Sequence, residues 1–283
     1  MFENIIGQYQ LKQLISKQLN EKTFPRFSIL SGVKGSGKKL FANEIAKNIS
    51  TDIVVADDVK ISTLKTLIET SYKLINTTVY IIPDIDDMSL PAKNSLLKVL
   101  EEPPNNAYWI LTINNIDNTL ATIRSRGTVY NFAPYSLSEL QEYIFKYYAV
   151  TSVKEEQEIV LSVCSTPGEI DSLMNNDAIN FYQYVELVID NIAKVSGANS
   201  FKIADKLCLK KDDEGYDLNL FWNAFKLICR DRMIEAKNNY DDVYKYSQGI
   251  VVTNVLQSEL GIPGINKASL VDDWIMTIRE YWM

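Results

Sequence analysis

The stretch Ser31-Gly32-Val33-Lys34-Gly35-Ser36-Gly37-Lys38-Lys39 lies between a short apolar run at 27–30 and a segment in which Leu40, Phe41, Ile45 and Ile49 share one helix face. A glycine-rich loop that carries a buried strand into a helix narrows the choice of fold to α/β, a mostly parallel sheet covered by helices on both faces. The rest of the first half has that rhythm. Residues 53–55, 78–82, 108–113 and 129–132 read as further strands, and 78–82 is too apolar for an exposed edge. Helical spacing of apolar residues is seen at 8–19, 64–74 and 92–101, the last stopped by Pro103-Pro104.

After Ala133-Pro134 the strand signals fade. Residues 138–148 and 154–163 read as helices, Thr166-Pro167-Gly168 opens a third, and 182–192, 201–209, 218–236 and 269–282 repeat the helical period, interrupted by a polar stretch at 210–216. Phe221, Trp222, Phe225, Leu227 and Ile228 form one apolar stripe and Trp274, Ile275, Ile278 and Trp282 another, both expected to be mostly core. At roughly 100–200 residues per domain, 283 residues imply two or three. The expected division is an α/β domain at 1–134, a small helical domain at 135–177 and an all-helical domain at 178–283.

The chain has no histidine, which removes Ser-His-Asp and Cys-His catalysis, imidazole bases and His-ligated metals together. Cys164, Cys208 and Cys229 are odd in number and far apart, so reduced thiols in a cytoplasmic protein are expected, with no four-cysteine zinc site and no metal centre. No 18-residue apolar run suggests a membrane span, and residues 1–10 do not read as a signal peptide. A net charge of −7 argues against a chain that coats nucleic acid over most of its surface, while a local basic patch remains open.

Gly32, Gly35, Gly37 and Lys38 supply the turn, the backbone donors and the cation of a phosphate-binding loop. That motif calls next for Ser or Thr to ligate Mg²⁺, and Lys39, whose ammonium cannot ligate a metal, stands there. The acidic half of such a site is expected after a buried strand, where this chain has Pro83-Asp84-Ile85-Asp86-Asp87. Three readings stay open: Asp84 as the remnant of a water-positioning carboxylate, a shifted site in which Asp84 holds metal and Asp86 acts as base, and an acidic loop that merely caps a helix.

Several further runs occur in one order: Ile5-Ile6-Gly7-Gln8, then Asn94-Ser95-Leu96-Leu97-Lys98-Val99-Leu100-Glu101-Glu102-Pro103-Pro104, then Thr122-Ile123-Arg124-Ser125-Arg126. With the loop, they resemble the bacterial sliding-clamp loader subunits, AAA+ proteins of the replicative polymerase III holoenzyme, most closely over 2–134. The resemblance implies an AAA+ domain, a helical lid and a helical collar. Within that family, the delta-prime type does not hydrolyse ATP and lends an arginine to its neighbour. Lys39 in place of the hydroxyl residue, Pro83 in place of the metal-organising Asp, and Asp171 in place of a phosphate-sensing arginine all point to that type. Asn114 matches the polar sensor position. Ser125-Arg126-Gly127 matches the family's Ser-Arg-Cys signature, which makes Arg126 the expected arginine finger, with Arg124 as the other arginine in reach of that role. Lys93 and Lys98 are candidates for DNA contact. The family's four-cysteine zinc module is absent between Asn48 and Ile53. The implied partners are gamma/tau-like and delta-like subunits in a hetero-oligomer, the sliding clamp and primer-template DNA, with ATP or ADP held unhydrolysed if at all. The alternatives are an active ATPase subunit using Lys38 with Asp84 and Asp86, and a nucleotide-independent scaffold.

Overall fold

A computed structural model describes residues 1–149, 152–194, 203, 206, 207, 216–260, 262 and 264–283, without the side chains of Asp87 and Asn118. Among the described residues, five parallel strands form one sheet in the order β2-β3-β4-β1-β5: β1 (Phe27–Ser31), β2 (Asp52–Val55), β3 (Thr78–Ile82), β4 (Ala107–Ile113) and β5 (Thr128–Asn131). All five were legible as apolar runs. β1 and β3 are buried throughout, and β2, on the edge, is the strand with no fully buried residue.

Period-two alternation builds a core on each face of the sheet. Ile29, Tyr80, Ile82, Trp109 and Leu111 pack with Leu64 of α3 (Ile61–Ser71) and with Leu96, Val99 and Leu100 of α4 (Leu90–Glu101). Leu30, Val79, Ile81, Ile110 and Tyr130 face the other way, onto Leu11 and Ile15 of α1 (Tyr9–Asn20) and Phe41, Ile45 and Ala46 of α2 (Lys38–Ile49). A short helix that the sequence pattern does not announce, α5 (Ala121–Arg124), precedes β5.

The chain divides into two compact units, 1–143 with 166–168, and 144–165 with 169–283. Among the described residues, the helices from Leu137 onward include α6 (Leu137–Tyr148), α7 (Lys154–Val163), α8 (Pro167–Asn175), α9 (Ala178–Asn191), α10 (Leu218–Glu235), α11 (Tyr240–Glu259) and α12 (Lys267–Trp282). The two apolar stripes meet in the core of the second unit, where Trp274 packs edge-on to Phe221 and Phe225 at centroid distances of 5.6 and 4.9 Å. The helix expected at 201–209 and the polar stretch at 210–216 fall mostly outside the described residues. Helix α11 was not expected: its buried positions are Gly249, Val252 and Thr253, while Tyr240, Tyr244, Val251 and Val255 are exposed, so no single apolar stripe marks it. Among the described residues no helix is long and apolar enough to cross a membrane.

The indole N–H of Trp274 donates to the buried Thr253 hydroxyl at 2.9 Å, and that hydroxyl donates to the Gly249 carbonyl at 2.7 Å. Thr253→Val keeps the shape and orphans the indole N–H, so it is expected to cost about 1–3 kcal/mol in urea unfolding followed by tryptophan fluorescence.

Candidate functional site

Strand β1 delivers the loop. The Gly32 N–H continues the ladder by donating to the Ile113 carbonyl at 3.1 Å, after which the chain turns and enters α2 through Gly37, at φ 86°. Gly35 has φ 81°, a second left-handed position that only glycine adopts without strain. Lys38, the first residue of α2, is 5% exposed. Its ammonium donates to the carbonyls of Gly32 (2.7 Å) and Val33 (2.9 Å) and to Oδ1 of Asn114 (3.0 Å). An ammonium has three N–H groups, so every donor is used within the protein. Burial pushes its pKa down, with Asp84 and Asp86 opposing the shift. Lys39 is exposed. The Ser36 hydroxyl oxygen is buried and has no hydrogen-bond partner among the described atoms.

The ends of β3 and β4 complete the cluster. Pro83 leads to Asp84, which is exposed, sits at φ 50° and donates its backbone N–H to the Thr112 hydroxyl at 3.0 Å. Asp86 accepts the backbone N–H of Asn114 on one carboxylate oxygen (2.6 Å) and that of Asn115 on the other (3.1 Å). It therefore acts as a clamp that fixes the loop bearing Asn114. Gly32, Gly35, Gly37, Lys38, Asp84, Asp86 and Asn114 are thus gathered at one end of the sheet, joined by Thr112, which no motif singled out.

Other parts of the first unit close on the loop. The Gly168 N–H donates to the Gly35 carbonyl at 3.0 Å, and a Cβ at Gly168 would lie 2.6 Å from the Gly35 Cα. The Tyr135 hydroxyl donates to the Ser36 carbonyl at 3.0 Å. Gln8, buried at φ 54°, exchanges two hydrogen bonds with the Ala133 backbone, which ties the opening Ile5-Ile6-Gly7-Gln8 motif to the end of β5. Tyr135 carried no signal in the sequence, and Gly168 was read there only as part of a helix opening. The donor set does not fit a Mg-nucleotide: the hydroxyl ligand is missing, Pro83 offers no carboxylate, Asp86 is engaged by two amides and Lys38 by three acceptors. In the second unit Asp171 accepts the Tyr148 hydroxyl at 2.7 Å; burial raises the Tyr148 pKa first, and the carboxylate raises it further.

Arg126 follows α5. Its Nη1 donates to the Thr122 carbonyl at 2.6 Å and its Nη2 pairs with the Glu101 carboxylate, leaving the side chain 31% exposed. Arg124 is looser, 56% exposed and 3.3 Å from Asp117. The two lysines on α4 part company: Lys93 is 8% exposed, with Nζ 3.5 Å from the Asp86 carbonyl, whereas Lys98 is exposed. Helical geometry explains this, since five residues turn the helix by well over a right angle.

A family model described as "DNA polymerase III, delta subunit" matches residues 53–136. Over longer stretches the chain is similar to DNA polymerase III subunit gamma of Buchnera aphidicola subsp. Acyrthosiphon pisum, 25% identical over 75% of this chain and 69% of that protein. It is also similar to subunit tau of Bacillus subtilis, 28% identical over 46% of this chain and 29% of that protein. A third relative is subunit delta' of Haemophilus influenzae, 33% identical over 33% of this chain and 27% of that protein. Over these stretches the chain is similar to DNA polymerase III subunits gamma, tau and delta'. It spans less than a third of the tau and delta' relatives' length. The solved structure of the Thermotoga maritima RuvB Holliday junction branch migration motor shares the fold, with a TM-score of 0.52 at 19% identity over 96% of this chain and 87% of that one.

Gly168→Ala tests the contact that closes the loop. At an exposed helical position that change ordinarily stabilises by about 0.5–1 kcal/mol. Here the added methyl meets backbone, and a loss of about 1–3 kcal/mol is expected from thermal unfolding.

Proposed function

We propose that the chain is a delta-prime-like clamp-loader subunit that does not itself hydrolyse ATP and donates Arg126 to the nucleotide site of a neighbouring ATPase subunit. The observation that carries this reading is the state of the phosphate loop: the Lys38 ammonium is fully engaged by the loop's own carbonyls and Asn114, beside a position where Lys39 replaces the metal-ligating hydroxyl. A loop of this kind keeps the architecture of a nucleotide site without its metal chemistry. Arg126, by contrast, carries a permanent charge on a planar fork at a partly exposed position. Inserted beside a transferred γ-phosphoryl group, such a guanidinium neutralises charge that develops in the transition state and contributes about 10³–10⁵ in rate.

The proposed assembly contains gamma/tau-like and delta-like subunits and acts on the sliding clamp and primer-template DNA in the cytoplasm. The proposed domain division is an AAA+ domain at 1–134, a lid at 135–177 and a collar at 178–283. Of the two lysines on α4, exposed Lys98 is the one proposed to meet DNA phosphate; Lys93 is buried. Contact of that kind tracks the backbone and does not read bases.

The test is DNA- and clamp-stimulated ATP hydrolysis by the reconstituted complex. Arg126→Ala is expected to lower turnover at the one neighbouring site by about 10³-fold or more. Lys38→Met, which keeps the buried stem, is expected to leave turnover of the complex unchanged. Loss of hydrolysis with Lys38→Met would instead establish an active site in this chain.

A further inference from the structure

We propose that Glu101 is the positioning residue for Arg126, holding the guanidinium in the orientation in which it is offered to a neighbouring subunit. The inference rests on the reading of Arg126 as the donated arginine. An arginine side chain has several free torsions, and a finger that must find its orientation only when the subunits close loses part of its effect to that ordering. The contacts of Arg126 supply the orientation beforehand. One N–H on Nη1 meets the Thr122 carbonyl, one turn upstream, and one on Nη2 meets the Glu101 carboxylate. Two of the five guanidinium N–H groups are therefore engaged, and Nε together with the second N–H on each terminal nitrogen stays available on a side chain that is 31% exposed.

Glu101 is carried by a helix that packs into the core. It is the last residue of α4, whose Leu96, Val99 and Leu100 are buried in the core beneath the sheet. Arg124 provides the internal comparison: its partner, Asp117, lies in the short turn after β4 and is 77% exposed, against 49% for Glu101. Of the two arginines in this segment, the one paired with a helix packed against the core is Arg126. An exposed ion pair of this kind contributes little to folding, so its removal is not expected to unfold the chain. At a closed subunit interface, where water is excluded, the same pair is stronger and its directional effect larger.

The experiment uses the reconstituted clamp-loader complex with wild-type chain, Glu101→Ala, Glu101→Gln, Arg126→Ala and the Glu101→Ala/Arg126→Ala double variant. Two quantities are read: kcat and KM for DNA-stimulated ATP hydrolysis, and the affinity of the neighbouring site for ADP with aluminium fluoride, which mimics the transferred phosphoryl group. Glu101→Ala is expected to lower kcat at that site by about tenfold with KM unchanged, as removal of partners that orient a reactive group does elsewhere. It should weaken ADP–aluminium fluoride by a similar factor and leave ADP alone unaffected. Glu101→Gln, which keeps an acceptor oxygen, should restore most of the loss, and the double variant should be no worse than Arg126→Ala. Unchanged or raised kcat in Glu101→Ala, where Arg126→Ala is impaired, would overturn the positioning role, and so would additive losses in the double variant. If Arg126→Ala itself leaves turnover intact, the arginine-donor reading fails first and takes this proposal with it.

Discussion

Strand β1 is buried over its whole length between β4 and β5, and the candidate site follows from where that strand stops. Because every strand of the sheet runs the same way, the loops after β1, β3, β4 and β5 emerge at one end. That single constraint brings Lys38, Asp84, Asp86, Asn114 and Tyr135 together from points scattered over a hundred residues of sequence. The hydrogen bonds among them then decide what the cluster can do.

Those bonds turn inward. In a working phosphate loop the lysine and the acidic pair present charge to a metal-bound nucleotide; here the lysine serves its own loop carbonyls and Asn114, and Asp86 holds two backbone amides. Gly168 and Tyr135 close on the same loop. The arrangement is consistent as structure, since the buried charge of Lys38 has partners, and Arg126, just after a short helix, pairs with Glu101 of α4.

The sheet was legible because its strands are short apolar runs bounded by turn residues, and the phosphate loop because its glycines are needed at particular backbone angles. Helix α11 was not legible: it packs through Gly249, over which Trp282 lies, and through Thr253, neither of which registers as an apolar position. Lys38 was legible as the lysine of the loop and Asp86 as part of an acidic loop, yet their engagement with backbone amides and carbonyls left no trace in residue type. Glu101 lies within the run at 96–104, but its pairing with Arg126 spans 25 residues and depends on how α4 and α5 approach each other. Lys93 and Lys98 show the same limit, as their burial differs with a helix rotation that a count of basic residues does not capture.

The most direct test of the account is a calorimetric titration of the full chain with ATP, with and without Mg²⁺. A loop whose lysine is engaged internally, and in which a second lysine stands where a metal-ligating hydroxyl is needed, predicts no saturable binding that depends on Mg²⁺. Saturable, Mg²⁺-dependent binding that disappears in Lys38→Met would contradict it, because Lys38 would then have to leave its present partners to hold phosphate.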